Sequence, residues 1–223
     1  MSEAVFHYEQ RRLENDLVAL EPFDPNVHVA RFVEEINTHP EILTYIVFPV
    51  VETEADFLRE VYNPSRASPE ECFYAVIDKA AGNKYAGVIA LSHTNTVNAV
   101  TEIGVIVFPE FHGTHVGSNA IGLVLLYLLD PPPAGGLGLR RVEWLCNSEN
   151  AVSRKTALRM GFEFEGVLRW HRAFARGNPV EALEKRNGTT GEVPGRHTAV
   201  YSIVWDEWDE TRSKVVAQME RKQ

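Results

Sequence analysis

The feature that most constrains the fold of this chain is a series of three β-like segments followed directly by a strongly apolar helix. The segments are Cys72–Ile77, Tyr85–Leu91 and Ala99–Phe108. Short polar turns separate them, which is typical of an antiparallel meander. After the third segment, apolar residues recur at helical spacing from Val116 to Leu128, and the helix ends before the prolines at 131–133. A meander that runs into such a helix predicts a sheet with a helix packed on it.

The remainder of the chain extends this pattern into an α+β fold. Further strands are predicted at Leu17–Leu20, Arg141–Leu145, Phe162–Trp170 and Val200–Trp205. Helices are predicted to begin after the caps Asp24, Thr53 and Asn150, with an exposed, charged helix over Asp206–Lys222. The long polar segment Ala175–Arg196 is expected to be a loop, and loops of that length are usually disordered or functional.

This order predicts a mixed, mostly antiparallel sheet with helices on both faces. No linker divides the chain, because the proline-rich break at 131–138 is too short to separate two domains. We therefore expect one domain over residues 1–223, with a core at about 17–205.

Composition and charge limit the class of protein. The chain has 22 Lys and Arg against 31 Asp and Glu, a formal net charge of −9. Such an excess of acid argues against binding to a nucleic-acid backbone and is compatible with a cationic substrate. The longest apolar stretch, Ala120–Leu129, is too short to span a bilayer. Residues 1–15 contain no apolar signal segment, and Cys72 and Cys146 lie in apolar runs that predict buried thiols, so a cytoplasmic protein is expected.

The junction at 108–120 is the strongest candidate for a binding site. A strand is predicted to end there, a turn with Gly113 and Gly117 follows, and a helix begins. Backbone N–H groups and the positive end of a helix dipole then converge, which suits a phosphate or pyrophosphate. Thr114 and Ser118 would add hydroxyl donors. The alternative is an ordinary strand–helix loop. The patterns of P-loop kinases and dinucleotide-binding proteins are both absent.

The junction resembles motif A of the GNAT superfamily of acyl-CoA-dependent N-acyltransferases, Gln/Arg-x-x-Gly-x-Gly/Ala, which falls here on residues 112–117. Further elements in the same order resemble the RimJ/RimL-type subgroup. They are Glu102-Ile103-Gly104, Pro109-Glu110-Phe111, Asn150-Ala151-Val152-Ser153, Arg159-Met160-Gly161-Phe162 and Glu165-Gly166-x-x-Arg169. The resemblance spans about 17–205. It implies transfer of an acetyl group from acetyl-CoA to a primary amine by direct attack in a ternary complex.

The resemblance also implies a set of cofactor-binding residues. The backbone of Val107 would pair with the pantetheine arm, and Asn147 and Asn150 would lie near the pantetheine and the thioester. The motif residues that would hold the pyrophosphate are His112, Gly113, Thr114, His115, Val116, Gly117 and Ser118.

Two histidines depart from the motif. His112 replaces the usual Gln or Arg, and His115 stands at the first motif glycine. A Cβ at that glycine position is expected to require a different backbone angle or a displaced phosphate, and so to weaken or alter the grip on the cofactor.

Attack of an amine on a thioester needs a base for the ammonium proton, a donor for the oxyanion and an acid for the thiolate. Glu102 is the candidate base, since it is a lone carboxylate among apolar strand residues. The alternative is an exposed or salt-bridged strand glutamate. The resemblance implies that Ser153 lies near the sulfur and is the candidate acid, and the alternative is a hydroxyl that only satisfies a backbone N–H at a helix start.

Other groups and partners follow from the same residues. The histidines lack metal-ligand spacing, so no metal is expected; those weighed are His93, His112, His115, His171 and His197. The resemblance implies that the acceptor is a small-molecule amine or a protein N-terminus, bound by the first two helices and the 175–196 loop. A longer acyl donor, a non-catalytic CoA-binding module on the same fold, and a monomer or a homodimer all stay open.

Overall fold

A computed structural model describes residues 5–174 and 193–221 of the chain. Its strands are β1 (Leu13–Glu14), β2 (Val18–Pro22), β3 (Cys72–Asp78), β4 (Lys84–Asn95), β5 (Val100–Val107), β6 (Arg141–Asn147), β7 (Glu163–Ala173) and β8 (Gly195–Val204). Its helices are α1 (Pro25–Thr38), α2 (Glu54–Phe57), α3 (Asn63–Arg66), α4 (His115–Leu129), α5 (Ala151–Arg159) and α6 (Trp208–Met219), with a π-helical turn, Leu58–Tyr62, joining α2 to α3. Short 3-10 turns lie at Pro40–Leu43, Pro109–Phe111, Pro132–Ala134 and Trp205–Glu207.

The eight strands form one sheet in the order β1-β2-β3-β4-β5-β6-β8-β7. Every neighbouring pair is antiparallel except β5 and β6, which are parallel. The predicted α+β class and mixed, mostly antiparallel sheet are therefore confirmed. The strand β1 was not predicted, because two residues carry no alternation signal.

The predicted loop at 175–196 needs one correction. Gly195 and Arg196 belong to β8, where they pair with Ala173 and Arg172 of β7. The part of the predicted loop at 175–192 lies outside the described residues.

The capping residues that the sequence indicated set the helix starts. Asp24 accepts a hydrogen bond from the backbone of Asn26 ahead of α1, and Thr53 and Asp56 form a reciprocal capping box ahead of α2. Asn150 accepts from the backbone of Ser153 and begins α5. Each cap satisfies a backbone N–H that the first helical turn leaves without a partner.

Helices cover the sheet on both faces. On the first, here called the α1 face, Phe73 of β3 contacts Phe23, whose ring also contacts Phe57 of α2. The opposite α4 face is crossed by α4 from β1 to β6. Helix α5 lies on the α4 face as well, since Trp144 of β6 donates its indole N–H to Ser153.

Helix α4 is buried almost all round, with 12 of its 15 residues buried. One side packs on the sheet and the other is covered by α6, where Met219 lies against Gly122. The expectation of an exposed C-terminal helix is therefore wrong. Trp208 is buried and donates its indole N–H to Asp130, which also pairs with Arg212. A charged sequence masked the apolar stripe with which α6 covers α4.

The strands β5 and β6 pair over three residues only, Val100–Glu102 with Arg141–Glu143. Beyond them, β5 continues to Val107 beside β4, and β6 continues to Asn147 beside β8. The two strands therefore diverge and leave a gap in the middle of the sheet. Backbone groups along the gap are not used by a β5–β6 ladder.

Candidate functional site

The turn between β5 and α4 forms one end of the gap. A 3-10 turn, Pro109–Phe111, follows the strand, and Gly113 adopts φ +72°, a conformation that glycine reaches without strain. Thr114 is extended and caps α4, accepting a hydrogen bond from Val116 N at 3.3 Å and donating its hydroxyl to Phe111 O at 2.8 Å. The first-turn N–H groups of a 15-residue helix are thereby presented at the mouth of the gap.

His115 does not strain this turn. It is the first residue of α4, and the positive φ angle falls on Gly113 instead. Its ring lies to the side, where Nε2 donates to Oδ1 of the buried Asp78 at 3.1 Å. His115 therefore adopts helical backbone angles, which a residue with a Cβ reaches without strain, and the displaced phosphate and altered grip on the cofactor stay predictions.

The first turn of α4 leaves room at the gap. A Cβ added at Gly117 would lie 3.9 Å from Val107 Cγ2, an ordinary contact. Val116 and Ser118 are buried behind it. A Gly117 without a side chain therefore leaves the helix start open toward the end of β5.

His112 occupies the position next to the carbonyl of Val107. Its Nε2 lies 2.8 Å from Val107 O, and since a carbonyl oxygen only accepts, the ring nitrogen donates. The carbonyl of Val107, one of the backbone groups that the resemblance assigns to pantetheine pairing, is thus already bound by a neighbouring side chain.

On the other side of the gap, β6 ends in Asn147. This side chain is buried; its Oδ1 accepts from Glu149 N, and its Nδ2 has no partner among the described residues. Asn150 is the cap of α5, with Oδ1 accepting from Ser153 N at 3.0 Å. Both asparagines therefore lie where β6 passes into α5.

Glu102 lies on the α1 face at the point where the strands separate. The antiparallel register aligns it with Ser92 of β4 and the parallel register with Glu143 of β6. Its side chain is 16 % exposed, and His93 Nδ1 donates to its Oε2 at 3.1 Å. The carboxylate is thus largely buried and paired with His93, as the alternative interpretation expects of a salt-bridged strand glutamate, and its role as a base stays a prediction.

The partner of Glu102 is held in an unusual backbone conformation. His93 has φ +52°, within a register shift of the β4–β5 ladder. Its hydrogen bond to Glu102 raises the pKa of His93, against the opposing effect of burial. Sequence analysis missed this pair, because a β-bulge that re-aims a side chain leaves no periodic signal.

Ser153 lies on the α4 face, opposite to Glu102. Its Oγ accepts the indole N–H of Trp144 at 2.9 Å. The adjacent thiol of Cys146 is buried, which raises its pKa, and it is a free cysteine like Cys72. The two candidate catalytic side chains therefore lie on opposite faces of the sheet, at the strands that border the gap.

Sequence reasoning also missed a group of buried polar side chains on β7 and β8. Arg196 and Thr198 are buried on alternate positions of β8, and His171 lies on β7. The alternation of polar and apolar residues along β8 could have indicated them. That alternation begins at the edge of the polar segment 175–196, which the sequence predicts to be a loop.

Two further findings concern the described part of the chain. Within it, no cluster of three or more His, Cys, Asp or Glu side chains is arranged to hold a metal ion. None of the helices described combines the length and the apolar character needed to cross a membrane.

Comparison with known proteins supplies the family. The model of the acetyltransferase (GNAT) domain matches residues 18–163. A crystal structure of a GCN5-related N-acetyltransferase from Brucella melitensis is 28 % identical, with a TM-score of 0.77 over 98 % of this chain and 89 % of that one. No curated protein has a matching sequence.

Two more distant structures share the fold. Mycobacterium smegmatis RimJ, in complex with CoA-disulfide, is 16 % identical with a TM-score of 0.69 over 92 % of each chain. RimL, a ribosomal L7/L12 α-N-protein acetyltransferase, is 17 % identical with a TM-score of 0.64 over 86 % of this chain and 93 % of that one. The resemblance to the GNAT superfamily that the motifs indicated is confirmed, and RimJ and RimL share its fold. Since the family model matches well over half of its residues, the chain belongs to the GNAT family of acetyltransferases.

Proposed function

We propose that this protein transfers an acetyl group from acetyl-CoA to a primary amine by direct attack of the amine in a ternary complex. The observation that carries the proposal is the gap between β5 and β6, which pair over only three residues. The extended pantetheine arm of the cofactor can enter such a gap and replace the missing backbone hydrogen bonds between the two strands. The N-terminus of α4 lies at the mouth of the gap, where its N–H groups can bind the pyrophosphate. The RimJ structure, in complex with CoA-disulfide, supports this choice of cofactor.

The cofactor is proposed to bind along the β5 side of the gap. The N–H groups of the α4 start, between Gly113 and Ser118, would hold the pyrophosphate, and the backbone of Val107 would pair with pantetheine. His112 would have to turn away for the Val107 carbonyl to accept from the cofactor, since its ring now donates there. On the β6 side, the unpaired Nδ2 of Asn147 is a suitable donor for the thioester carbonyl.

The chemical step is assigned to the two side chains at the gap. Glu102 accepts the proton of the attacking amine, directly or through a water molecule, from its place on the α1 face. As the tetrahedral intermediate collapses, the carbon–sulfur bond breaks, and Ser153 passes a proton to the leaving thiolate while it takes up a proton from solvent water. Trp144 donates to the Ser153 oxygen, which fixes the orientation of that hydroxyl.

Two measurements test this function. Acetyl-CoA is expected to raise the melting temperature of the protein, and a panel of primary amines is expected to release free thiol from acetyl-CoA. Stabilisation without thiol release for any amine would favour a non-catalytic CoA-binding module, and absence of stabilisation would exclude the cofactor. Propionyl-CoA and branched acyl-CoA in the same assay determine whether acetyl is the preferred group.

The proposal takes residues 1–223 as one acyltransferase domain, because a single sheet runs from Leu13 to Val204. Whether that domain acts as a monomer or a homodimer, and its cytoplasmic location, stay predictions from the sequence.

A further inference from the structure

Unpaired polar atoms are concentrated at one place in the described structure. Six buried side-chain nitrogen or oxygen atoms have no hydrogen-bond partner there, and four of them lie on the adjacent strands β6, β8 and β7. They are Asn147 Nδ2, Thr198 Oγ1, Arg196 Nε and His171 Nδ1. Buried polar atoms are normally satisfied by a protein group, an ordered water molecule or a ligand, so such a group marks a candidate binding site.

Arg196 is the strongest member of this group. The residue is 8 % exposed, and its Nη1 donates to the carbonyl of Tyr45 at 2.9 Å, while Nε has no partner. Among the described residues no carboxylate forms an ion pair with it, and burial lowers its pKa. An unneutralised buried cation is costly unless an anion joins it when the site is occupied.

The charged groups around Arg196 do not supply that anion. Glu102 attracts it, but the carboxylate of Glu102 pairs with His93. Arg172, directly across the β7–β8 ladder, carries the same charge. The guanidinium is therefore left with a carbonyl partner at Nη1 and an unpaired N–H at the buried Nε.

Thr198 lies on the same face as Arg196, two residues along β8, and its register partner on β6 is Asn147. Its hydroxyl is completely buried and unpaired. Continuous register from Ser202 to Glu143, and from Glu143 to Glu102, places these side chains on the α1 face together with the proposed base. The unpaired groups and Glu102 thus share one side of the sheet.

The β7 strand brings His171 to this group through a bulge. The register shifts between Leu168 and Arg172, and Trp170 within it adopts φ +49°. Burial lowers the pKa of His171, which favours a neutral ring. The group therefore contains one cation, neutral hydrogen-bonding groups and no carboxylate of its own.

We infer that Arg196 and Thr198 bind a carboxylate of the acceptor, so that the preferred substrates are small amines that also carry a carboxylate, such as free α-amino acids. The inference rests on the proposed acetyl transfer and deepens it by naming the substrate class. A guanidinium with a free N–H and a nearby hydroxyl provides directed donors for carboxylate oxygens. Burial of the site favours a small acid over the body of a protein.

The first test compares amino acids with their amides at equal concentrations of unprotonated amine. Alanine and glutamate are expected to exceed alaninamide and glutamine amide at least tenfold in kcat/KM, as judged by thiol release. Arg196→Gln is expected to remove this preference by raising KM for the amino acids, and Arg196→Lys to recover part of it. A peptide amide with Asp after its N-terminal residue, set against its Asn counterpart, distinguishes a side-chain carboxylate from that of a free amino acid.

The second test separates substrate binding from a structural role. Thr198→Val removes a hydroxyl that has no partner, so thermal stability should be kept while KM for amino acids rises several-fold. The matched control is Thr101→Val, since the buried hydroxyl of Thr101 bonds to Thr94 at 2.8 Å on the α4 face. That control is expected to lower stability and leave KM unchanged.

Failure of the inference is distinguishable from failure of the proposed function. Equal turnover of amino acids and amides by the wild-type protein would overturn the carboxylate site and leave acetyl transfer standing. If no amine is acetylated, calorimetric titration of alanine into the CoA-saturated protein still shows whether the site binds an amino acid. Binding that Arg196→Gln abolishes, with CoA affinity unchanged, supports the site, and absence of binding overturns it.

Discussion

The two sides of the central gap are built in different ways. On the β5 side, the anion-binding groups are backbone N–H groups at the start of α4, and nearby side chains such as His115 and Thr114 are already hydrogen-bonded. On the β6 and β8 side, Arg196, Thr198 and Asn147 carry unpaired polar atoms. The side chains named on the first side have partners without a ligand, and those named on the second side do not. The difference indicates a general cofactor cradle beside a substrate-specific surface.

The largest effect on activity is expected from substitution of Glu102, the proposed base, which lies between these two sides. Glu102→Gln removes the proton acceptor but keeps the shape of the side chain, so kcat is expected to fall about 100-fold or more, in the range typical of general bases. Because the side chain lies on the α1 face and the proposed pyrophosphate site lies at α4, affinity for acetyl-CoA should change less than threefold or so. Steady-state kinetics and calorimetric titration measure the two quantities.

A neighbouring glutamate supplies the control. Glu143 is the register partner of Glu102 on the same face, but it forms a salt bridge with Arg141 at 2.8 Å. Glu143→Gln is expected to retain most of the activity. Equal losses in the two variants would show that the charge of the face, and not a specific base, supports turnover.

Much of the fold was predictable because it depends on short-range signals. Asp24, Thr53 and Asn150 are side-chain caps that bond within three residues, so the helix starts are visible in the sequence. The C-terminal helix was misjudged because its burial depends on a distant partner. The contact of Met219 with Gly122 joins two elements that are remote in the sequence.

The site divides in the same way. The turn at 112–117 has a motif and lies within the segment that matches the family model, 18–163. His171, Arg196 and Thr198 lie beyond that segment, and only strand register brings them to Glu102. His93 needed a bulge and a positive φ angle to reach the same carboxylate. No local pattern encodes such contacts.

The next largest effect tests the backbone cradle. Gly117→Ala places a methyl group in the first turn of α4, where the existing structure has room for it. Helix propensity favours alanine by roughly 0.5–1 kcal/mol, so the melting temperature should be unchanged or higher. If the pyrophosphate approaches this backbone closely, affinity for acetyl-CoA should fall by about tenfold or more, which corresponds to 1.4 kcal/mol or more of binding energy.

Gly166→Ala is the matched control, because a Cβ there meets open space on β7, away from the turn. It should leave cofactor affinity unchanged. If Gly117→Ala keeps its affinity for acetyl-CoA and its melting temperature is unchanged or higher, the pyrophosphate does not approach this backbone and binds elsewhere.

A smaller effect concerns the His93–Glu102 pair. The hydrogen bond between His93 and the carboxylate of Glu102 raises the pKa of His93. At low pH the charged ring therefore pairs with Glu102, and it releases the carboxylate as the pH rises through that raised pKa. Activity per unprotonated amine is therefore expected to increase across a transition above the ordinary histidine pKa of about 6.5. His93→Asn, which tolerates the positive φ angle, should lack the transition and be several-fold more active at low pH.

The stability of the fold should also depend on pH through the His93–Glu102 pair, and the raised pKa gives the sign of that dependence. A raised pKa in the folded state means that the pair stabilises the fold below the unfolded pKa, and that the contribution is lost as the pH rises through the folded value. The melting temperatures of wild type and His93→Asn should therefore differ most at low pH and converge at high pH. Parallel curves, together with identical activity profiles, would rule out coupling between His93 and Glu102.

The smallest expected effect concerns His112, on the cofactor side of the gap. Its ring now donates to the carbonyl of Val107, and a cofactor that pairs with this carbonyl must displace it. Exchanging one hydrogen bond for another costs the cofactor up to about 1 kcal/mol, so His112→Ala should improve acetyl-CoA affinity by about two- to fivefold. Calorimetric titration at a pH where histidine is neutral measures this directly. Weaker binding in the variant would mean that the ring itself contacts the cofactor and that Val107 O is not a cofactor acceptor. The sign of this small change therefore decides whether the cofactor side has to rearrange before its ligand can bind.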